Sequence, residues 1–359
     1  MPGGTKRGNE PVHEELGATP CEGHLGAADQ DVHGRTSILR VARSTHLEST
    51  ALPRTIDETL VRVNAPQTFL RGFWPAVKDV WAFRELLVNL VRKELKVKYK
   101  DSALGFLWSL ARPLFLLMVY WVVFGKFLRA GIPNFAFYLF SGLVAWDLFA
   151  TTLGAATLSV VGNAGLVKKI YFPREILPLS AIGAGLVHFV LQLGVLFAVL
   201  LAFRYDFFGP NLLLLPVAIV ALVLFMTAMS LFLAAVNVYL RDVQHLLEVF
   251  LLFWFWMTPI VYPINTALDA MSKRSVLGVK LSAVYLLNPM ANIVINFQRA
   301  IYKHVTVPVA GSEPLKTLYQ AGYRSYLSRL GVVMAVSLVL LWLAQRVFAR
   351  AEGNFAQEL

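Results

Sequence analysis

Between residues 106 and 347 lie six apolar runs of roughly bilayer length, and they constrain the fold more than any other feature. About 20 apolar residues in a helix cross ~30 Å of hydrocarbon. In lipid, a backbone outside a helix or a closed barrel cannot satisfy its own polar groups. The runs predict spanning helices over 106–127, 135–161, 177–203, 211–238, 246–262 and 326–347. The fifth belongs to the stretch NVYLRDVQHLLEVFLLFWFWMTPIVYP, residues 237–263. It opens on Arg241-Asp242, is packed with Phe253, Trp254, Phe255 and Trp256, and stops at Pro259 and Pro263. At 17 residues it is only just long enough to cross. Its charged pair belongs at a membrane face, because a charge at the bilayer centre costs several kcal/mol. There Arg241 and Asp242 are expected to hold the inner end of the helix through a salt bridge.

Composition agrees with a membrane protein. Hydrophobic residues make up 57% of the 359 and charged residues 15%, against roughly 25% charged in a soluble domain, and the mean hydropathy is +0.59. A net charge of +11 raises the question of nucleic acid, but no basic stripe lies on a soluble domain, so no nucleic-acid partner is expected. Cations beside apolar spans face anionic headgroups on the cytoplasmic side. By that rule Lys93 to Lys100, Lys168, Lys169, Arg174, Arg241, Arg346 and Arg350 mark one side as cytoplasmic, with Lys126, Arg129 and Arg204 opposing. Six spans place both termini there, in a plasma membrane. The single cysteine, Cys21, allows no internal disulfide, and no apolar signal-peptide core opens the chain.

Residues 1–74 are polar, without helical or strand periodicity, and read as a disordered cytosolic tail. Residues 75–105 read as an amphipathic interface helix, with Val80, Phe83, Leu87 and Leu90 on one face and Lys93, Lys96 and Lys100 on another. The membrane domain then occupies 106–359. Within it, residues 284–302 are apolar but broken by Asn288-Pro289, Asn292, Asn296, Gln298 and Arg299. Such a stretch suits a re-entrant helix pair facing protein or a wet cavity, or else a plain extracellular amphipathic helix. The fold class expected is an all-α integral membrane protein: six transmembrane helices, an N-terminal interface helix and re-entrant helices before the last span.

Chemistry is sparse. No Gly-x4-Gly-Lys-Ser/Thr loop occurs, so this chain has no Walker cradle for ATP phosphates. No metal-ligand spacing and no nucleophile–base set stands out, so neither a cofactor nor an enzyme is expected. Asp147, His188 and Glu248 are the few ionisable groups in the spans, too few to support ion coupling strongly. The loop NAGLVKKIYFPREILP, residues 163–178, is short and charged, and Pro173 can open a helical turn at Arg174-Glu175. A rigid turn between two spans can transmit a push from a cytosolic partner. Among the aromatics, Tyr120, Trp121, Phe124, Trp254 and Trp256, with Asp147, are candidates to line a path for sugars.

Three blocks coincide in order and spacing: RKELKVKYKDSALGFLWSLARPLFLLMVYWVVFG at 92–125, LVKKIYFPREILPLS at 166–180, and the 237–263 stretch. Together they resemble the membrane subunit of ABC-2 type polysaccharide exporters, the family of O-antigen, capsule, teichoic acid and galactan exporters. The resemblance covers about residues 81–350, and the tail before Trp74 is longer than its pattern requires. It implies a homodimeric permease paired with two ABC ATP-binding subunits, which hold the ATP and magnesium. It also implies export of a polyprenyl-diphosphate-linked glycan. Lys168, Lys169, Tyr171, Phe172, Pro173, Arg174 and Glu175 would then contact the ATPase. Lys96, Lys98, Tyr99 and Lys100 would draw the lipid diphosphate to the interface. Export of a drug or small lipid, and an ion-coupled lipid flippase, are the competing readings.

Overall fold

The computed structural model describes residues 73–100, 111, 114–115, 118–119, 121–127, 132–272, 275–276, 279–303, 306–309 and 312–359. All but the last two residues of the expected tail lie outside the described residues. The predicted first span is described only in part, with a π-helical stretch at Trp121–Phe127. The elements in order are α1 (Phe73–Ala82), α2 (Arg84–Tyr99), α3 (Phe135–Gly162), α4 (Ala164–Lys169), α5 (Ile176–Ala202), a 3-10 turn (Pro210–Leu213) and α6 (Leu214–Tyr239). There follow α7 (Val243–Trp256), α8 (Ile264–Ser272), α9 (Leu281–Tyr285), α10 (Pro289–Ile301), α11 (Tyr323–Glu352) and α12 (Phe355–Glu358). The all-α expectation needs one correction. Two small antiparallel hairpins, β1 (Ser275–Val276) with β2 (Val279–Lys280) and β3 (Thr306–Val309) with β4 (Ser312–Lys316), sit between the last helices.

Among the described residues, four helices are long and apolar enough to cross a membrane: Phe135–Gly162, Ile176–Ala202, Pro210–Tyr239 and Tyr323–Glu352. They fall on the second, third, fourth and sixth predicted spans. The fifth is shorter than expected. α7 has 14 residues, about 21 Å of helix, and ends before Pro259 rather than running on to Tyr262. Proline has no N–H to offer the carbonyl four residues back, and it biases the preceding residue away from helix. Thr258 N–H instead reaches the Phe255 carbonyl in a tight turn at 3.1 Å. The expected single interface helix is also divided. α1 and α2 meet at Phe83 (φ −96°, ψ 21°), and α2 packs along α5, where a Cβ on Gly183 would come within 2.7 Å of a Val91 methyl.

Helix packing follows the sequence pattern. On α11 the buried positions Leu330, Val333, Ser337, Leu341, Ala344 and Phe348 recur every three or four residues and form one stripe. That stripe suits its main neighbour, α6, which buries Ala218, Ala221, Ala228, Ala234 and Ala235; small residues let membrane helices approach closely. Val332, Val336 and Val339 on α11 are apolar and exposed, as expected of a face turned to lipid. α3 is central and contacts α5, α6, α7 and α10.

The bundle has two ends. The lower end carries the 163–175 loop, the last turns of α6 and α11, and α12. The upper end carries the start of α3, the end of α5, the 3-10 turn and the end of α10. There the Tyr302 hydroxyl donates to the Pro133 carbonyl at 2.7 Å and Lys303 pairs with Asp206 at 2.5 Å. The crossing of α3 and α5 is so close that a Cβ on Gly185 would overlap the Thr152 hydroxyl. Gly185→Ala is expected to cost about 1–3 kcal/mol through overpacking. The check is the melting temperature of detergent-purified protein, with Thr152→Ala restoring part of the loss.

Candidate functional site

Two regions carry the polar chemistry of this bundle. At the lower end, the α3–α5 connection divides into an exposed edge and an anchored root. Lys168, Lys169 and Tyr171 are exposed, as is the aliphatic Ile170. Phe172 and Glu175 are buried, and Pro173 is half-buried. The helix in this loop is α4, ending at Lys169; from Pro173 the chain turns straight into α5 through Ile176 N–H to the Pro173 carbonyl at 3.1 Å. Arg174 faces the C-terminus of the chain. Its backbone N–H donates to Glu352 Oε1 at 3.2 Å, its guanidinium donates to the Glu352 carbonyl, and the same group lies 6.0 Å from the centre of the Phe355 ring.

α2 joins this end from the side. Lys93 donates to Asn163 Oδ1 at 2.6 Å, tying α2 to the end of α3. Lys96, Lys98 and Lys100 are exposed, and Lys98 lies within electrostatic reach of His188 on α5. Tyr99 ends α2, and its side chain lies outside the described residues. Below α1 and α2 a groove of about 880 Å³ opens against α5, α6 and α11, lined by Leu87, Leu179, Leu231 and Leu341 together with Arg84 and Arg92. Arg241 and Asp242 occupy the exposed turn between α6 and α7. They make no ion pair with each other, so the expected salt bridge is absent. The turn is held instead by backbone bonds, Val243 N–H to the Leu240 carbonyl and Leu246 N–H to the Asp242 carbonyl.

Where α7 stops, nearly every freed carbonyl is met by a side chain. The Thr258 hydroxyl donates to Trp254 O at 2.8 Å, Tyr262 to Trp256 O at 2.8 Å and Gln298 Nε2 to Pro259 O at 2.9 Å. Tyr138, from α3, donates to Tyr262 O at 2.9 Å, and Asn292 Nδ2 to Leu286 O at 2.7 Å. Asn288 joins the two helices. Its Oδ1 accepts from Trp254 Nε1 at 2.9 Å and from Met290 N–H at 3.0 Å, capping α10. The Tyr262 and Tyr285 hydroxyls meet at 3.2 Å within the same network. α10 itself is buried from Met290 to Gln298 among α3, α6 and α11.

The candidate lining residues scatter. Trp254 is half-buried against Trp146, Phe149 and Phe225, whereas Trp256 is exposed. Trp121 is exposed with the Lys126 ammonium 5.3 Å from its ring. Tyr120 and the side chain of Phe124 lie outside the described residues. Asp147 accepts from Gln192 Nε2 at 2.8 Å, joining α3 to α5. Among the described residues, no group of three or more His, Cys, Asp or Glu side chains could hold a metal.

Residues 85–301, more than half of the chain, match the family described as ABC-2 type transporter. The chain belongs to that family. It is 32% identical over 283 residues to an O-antigen export system permease protein of Myxococcus xanthus, covering 79% of this chain and 98% of that protein. It is 30% identical over 242 residues to an O-antigen export system permease protein of Klebsiella pneumoniae, covering 67% and 87%. A second Klebsiella pneumoniae protein of that description is 31% identical over 217 residues, covering 60% and 79%. With several long apolar helices, membership makes this ABC-2 chain a multi-pass membrane protein and a transport component. The family resemblance drawn from the three sequence blocks holds.

Sequence reasoning singled out Asn288, Asn292 and Gln298 as breakers but missed Tyr138, Thr258 and Tyr262, which complete the network. It also missed Glu352 and Phe355 as partners of Arg174. Asn288→Ala removes a helix cap worth about 1 kcal/mol and leaves the Trp254 N–H without its acceptor, worth about 1–3 kcal/mol more. Thermal unfolding in detergent should show a clear loss for Asn288→Ala and a smaller one for Asn288→Asp, which keeps the acceptor.

Proposed function

We propose that this chain is the permease subunit of an ATP-driven exporter for a polyprenyl-diphosphate-linked polysaccharide, of O-antigen, capsule, teichoic acid or galactan type. The observation that carries the reading is the similarity to an O-antigen export permease over nearly that protein's whole length. ATP and magnesium belong to a separate ABC ATP-binding subunit, which agrees with a sequence that has no Walker loop. The working unit is a homodimer with two such ATPases. The exposed apolar edge of α7, with Leu252, Phe253 and Trp256, supplies a surface for the second copy or for the path between copies.

The protein sits in the plasma membrane with six spans and both termini in the cytoplasm. In support, α2 is tied to the lower end through Lys93, while Ile132 reappears in the core of the upper end beside Pro133. One crossing by the predicted first span would then bring the total to six, with α7 and the chain to Pro263 as the fifth. α9 and α10 are then re-entrant from the outer face, their backbone breaks met by protein groups as lipid demands. Lys93, Lys168, Lys169, Arg174 and Arg241 share the lower end, which the positive-inside rule assigns to the cytoplasm.

In this reading Lys168, Lys169, Ile170 and Tyr171 touch the ATPase, while Phe172, Pro173, Arg174 and Glu175 form the root that carries the push into α5. Lys96, Lys98, Tyr99 and Lys100 draw the lipid diphosphate to the inner headgroup level. Arg241 and Asp242 mark the inner mouth. Trp256, Trp121, Tyr120 and Phe124 are the aromatics to test along the sugar path, with Trp254 and Asp147 packed behind it.

Depleting the protein in its host and analysing lipid-linked saccharides by leaflet and mass tests the function. A full-length polyprenyl-diphosphate glycan should accumulate on the cytoplasmic leaflet. A truncated glycan would point to an enzyme, and an unchanged lipid profile would favour a drug or small-lipid exporter. Lys168→Ala with Tyr171→Ala should leave membrane abundance intact and reduce co-purification of the ATP-binding subunit. Unchanged co-purification would remove the exposed edge from the ATPase contact.

A further inference from the structure

The end of α11 and the C-terminal turn form a hook beneath the α3–α5 loop. Glu352 closes α11 and Phe355 opens α12, and the Phe355 ring is fully buried. The Phe348 ring meets it edge-on at 5.4 Å, and the Tyr239 ring lies 6.2 Å away. The Tyr239 hydroxyl donates to the Ala351 carbonyl at 2.9 Å, so the end of α6 holds the hook from a second side. α12 also packs against α4, the short helix that ends in Lys168 and Lys169. Arg174 connects loop and hook through both of its bonds to Glu352 and through its place over Phe355.

The loop therefore has two roots. One is covalent, through Glu175 into α5. The other is non-covalent, through Arg174 and Phe355 into α11 and α6, the most extensively packed helix pair of the bundle. A force applied at Tyr171 that reached α5 alone would move one helix; with the hook engaged it moves three. Coupling of this kind runs through packed side chains and rigid elements.

We infer that Arg174, Glu352 and Phe355 are positioning residues for ATP coupling: they fix the loop that meets the ATPase onto the C-terminal hook, so that the last span moves with it. None of the three touches the cargo or the nucleotide. The inference rests on the proposed contact between this loop and an ATP-binding subunit.

The test uses the full chain co-expressed with its own ATP-binding subunit, measuring ATP hydrolysed per glycan exported in inverted membrane vesicles. Arg174→Lys and Phe355→Ala should each raise that ratio roughly fivefold or more, the low end of ordinary intersite coupling. Co-purification of the ATPase should be unchanged. The two substitutions together should cost less than their separate effects added, because both break one contact. Should Phe355→Ala fail to accumulate, Phe355→Leu keeps an apolar side chain without a ring under the guanidinium and carries the same expectation. Export and hydrolysis falling in proportion, with the ratio unchanged, would mean a purely structural hook and overturn the inference. Tyr171→Ala separates the two claims. If it uncouples while the hook variants do not, only the hook fails; if it too changes neither co-purification nor the ratio, the ATPase contact itself fails.

Discussion

A helix that stops short leaves carbonyls with no intrahelical partner, and within a bilayer no water is there to meet them. α7 creates this problem at Trp256, and the upper half of the bundle is arranged around its solution. Thr258, Tyr262, Gln298, Tyr138 and Asn288 come from three separate parts of the chain, and each delivers a donor to one backbone oxygen. Their burial in turn requires α10 to lie inside the bundle. Gly142 permits that, since a Cβ there would come within 3.1 Å of both Gln298 and Val294. The broken helix, the buried α10 and the small residue on α3 are one solution rather than three features.

The two ends of the bundle solve opposite problems. At the upper end, polar side chains are consumed in satisfying backbone, and aromatic edges fill the space between them. At the lower end, charged side chains are divided between solvent and anchorage: Lys168 and Lys169 point outward, while Arg174 is spent on Glu352 and Phe355. This matters for a transport component, because a partner can push only on what is exposed, and a push does work only if the loop is stiff. Burying Phe172 and Glu175 directly behind Tyr171 gives that stiffness.

How much of this was legible in the sequence depends on the range of the interaction that decides it. Spans over α3, α5, α6 and α11 were readable to a few residues, since a run of apolar side chains is a local property. The end of α7 was not, although Pro259 was in view, because the turn is stable only with donors from Tyr138 and Gln298. Likewise Arg174 read as a partner-facing charge, because its acceptor lies 178 residues further on. The split between Trp254 and Trp256 was available in principle. Two residues apart on a helix are about 200° apart around its axis, so both could not line one path. The missing Arg241–Asp242 pair has a similar cause: exposed adjacent charges gain little from pairing, and the turn already has its backbone bonds.

α7 stands where the two ends meet. Its first turn follows the exposed charged corner after α6, and its last turn is held through Trp254 and Asn288 to α10. Between them its outer edge leaves Leu246, Val249, Phe253 and Trp256 exposed. A helix fixed at its top and free along its side can tilt about that upper attachment. The tie at Trp254 then sets the pivot, and the loop-and-hook assembly at the lower end sets what can move around it. A packed core switches between discrete arrangements rather than deforming continuously, so motion of α7 should concentrate along its exposed edge.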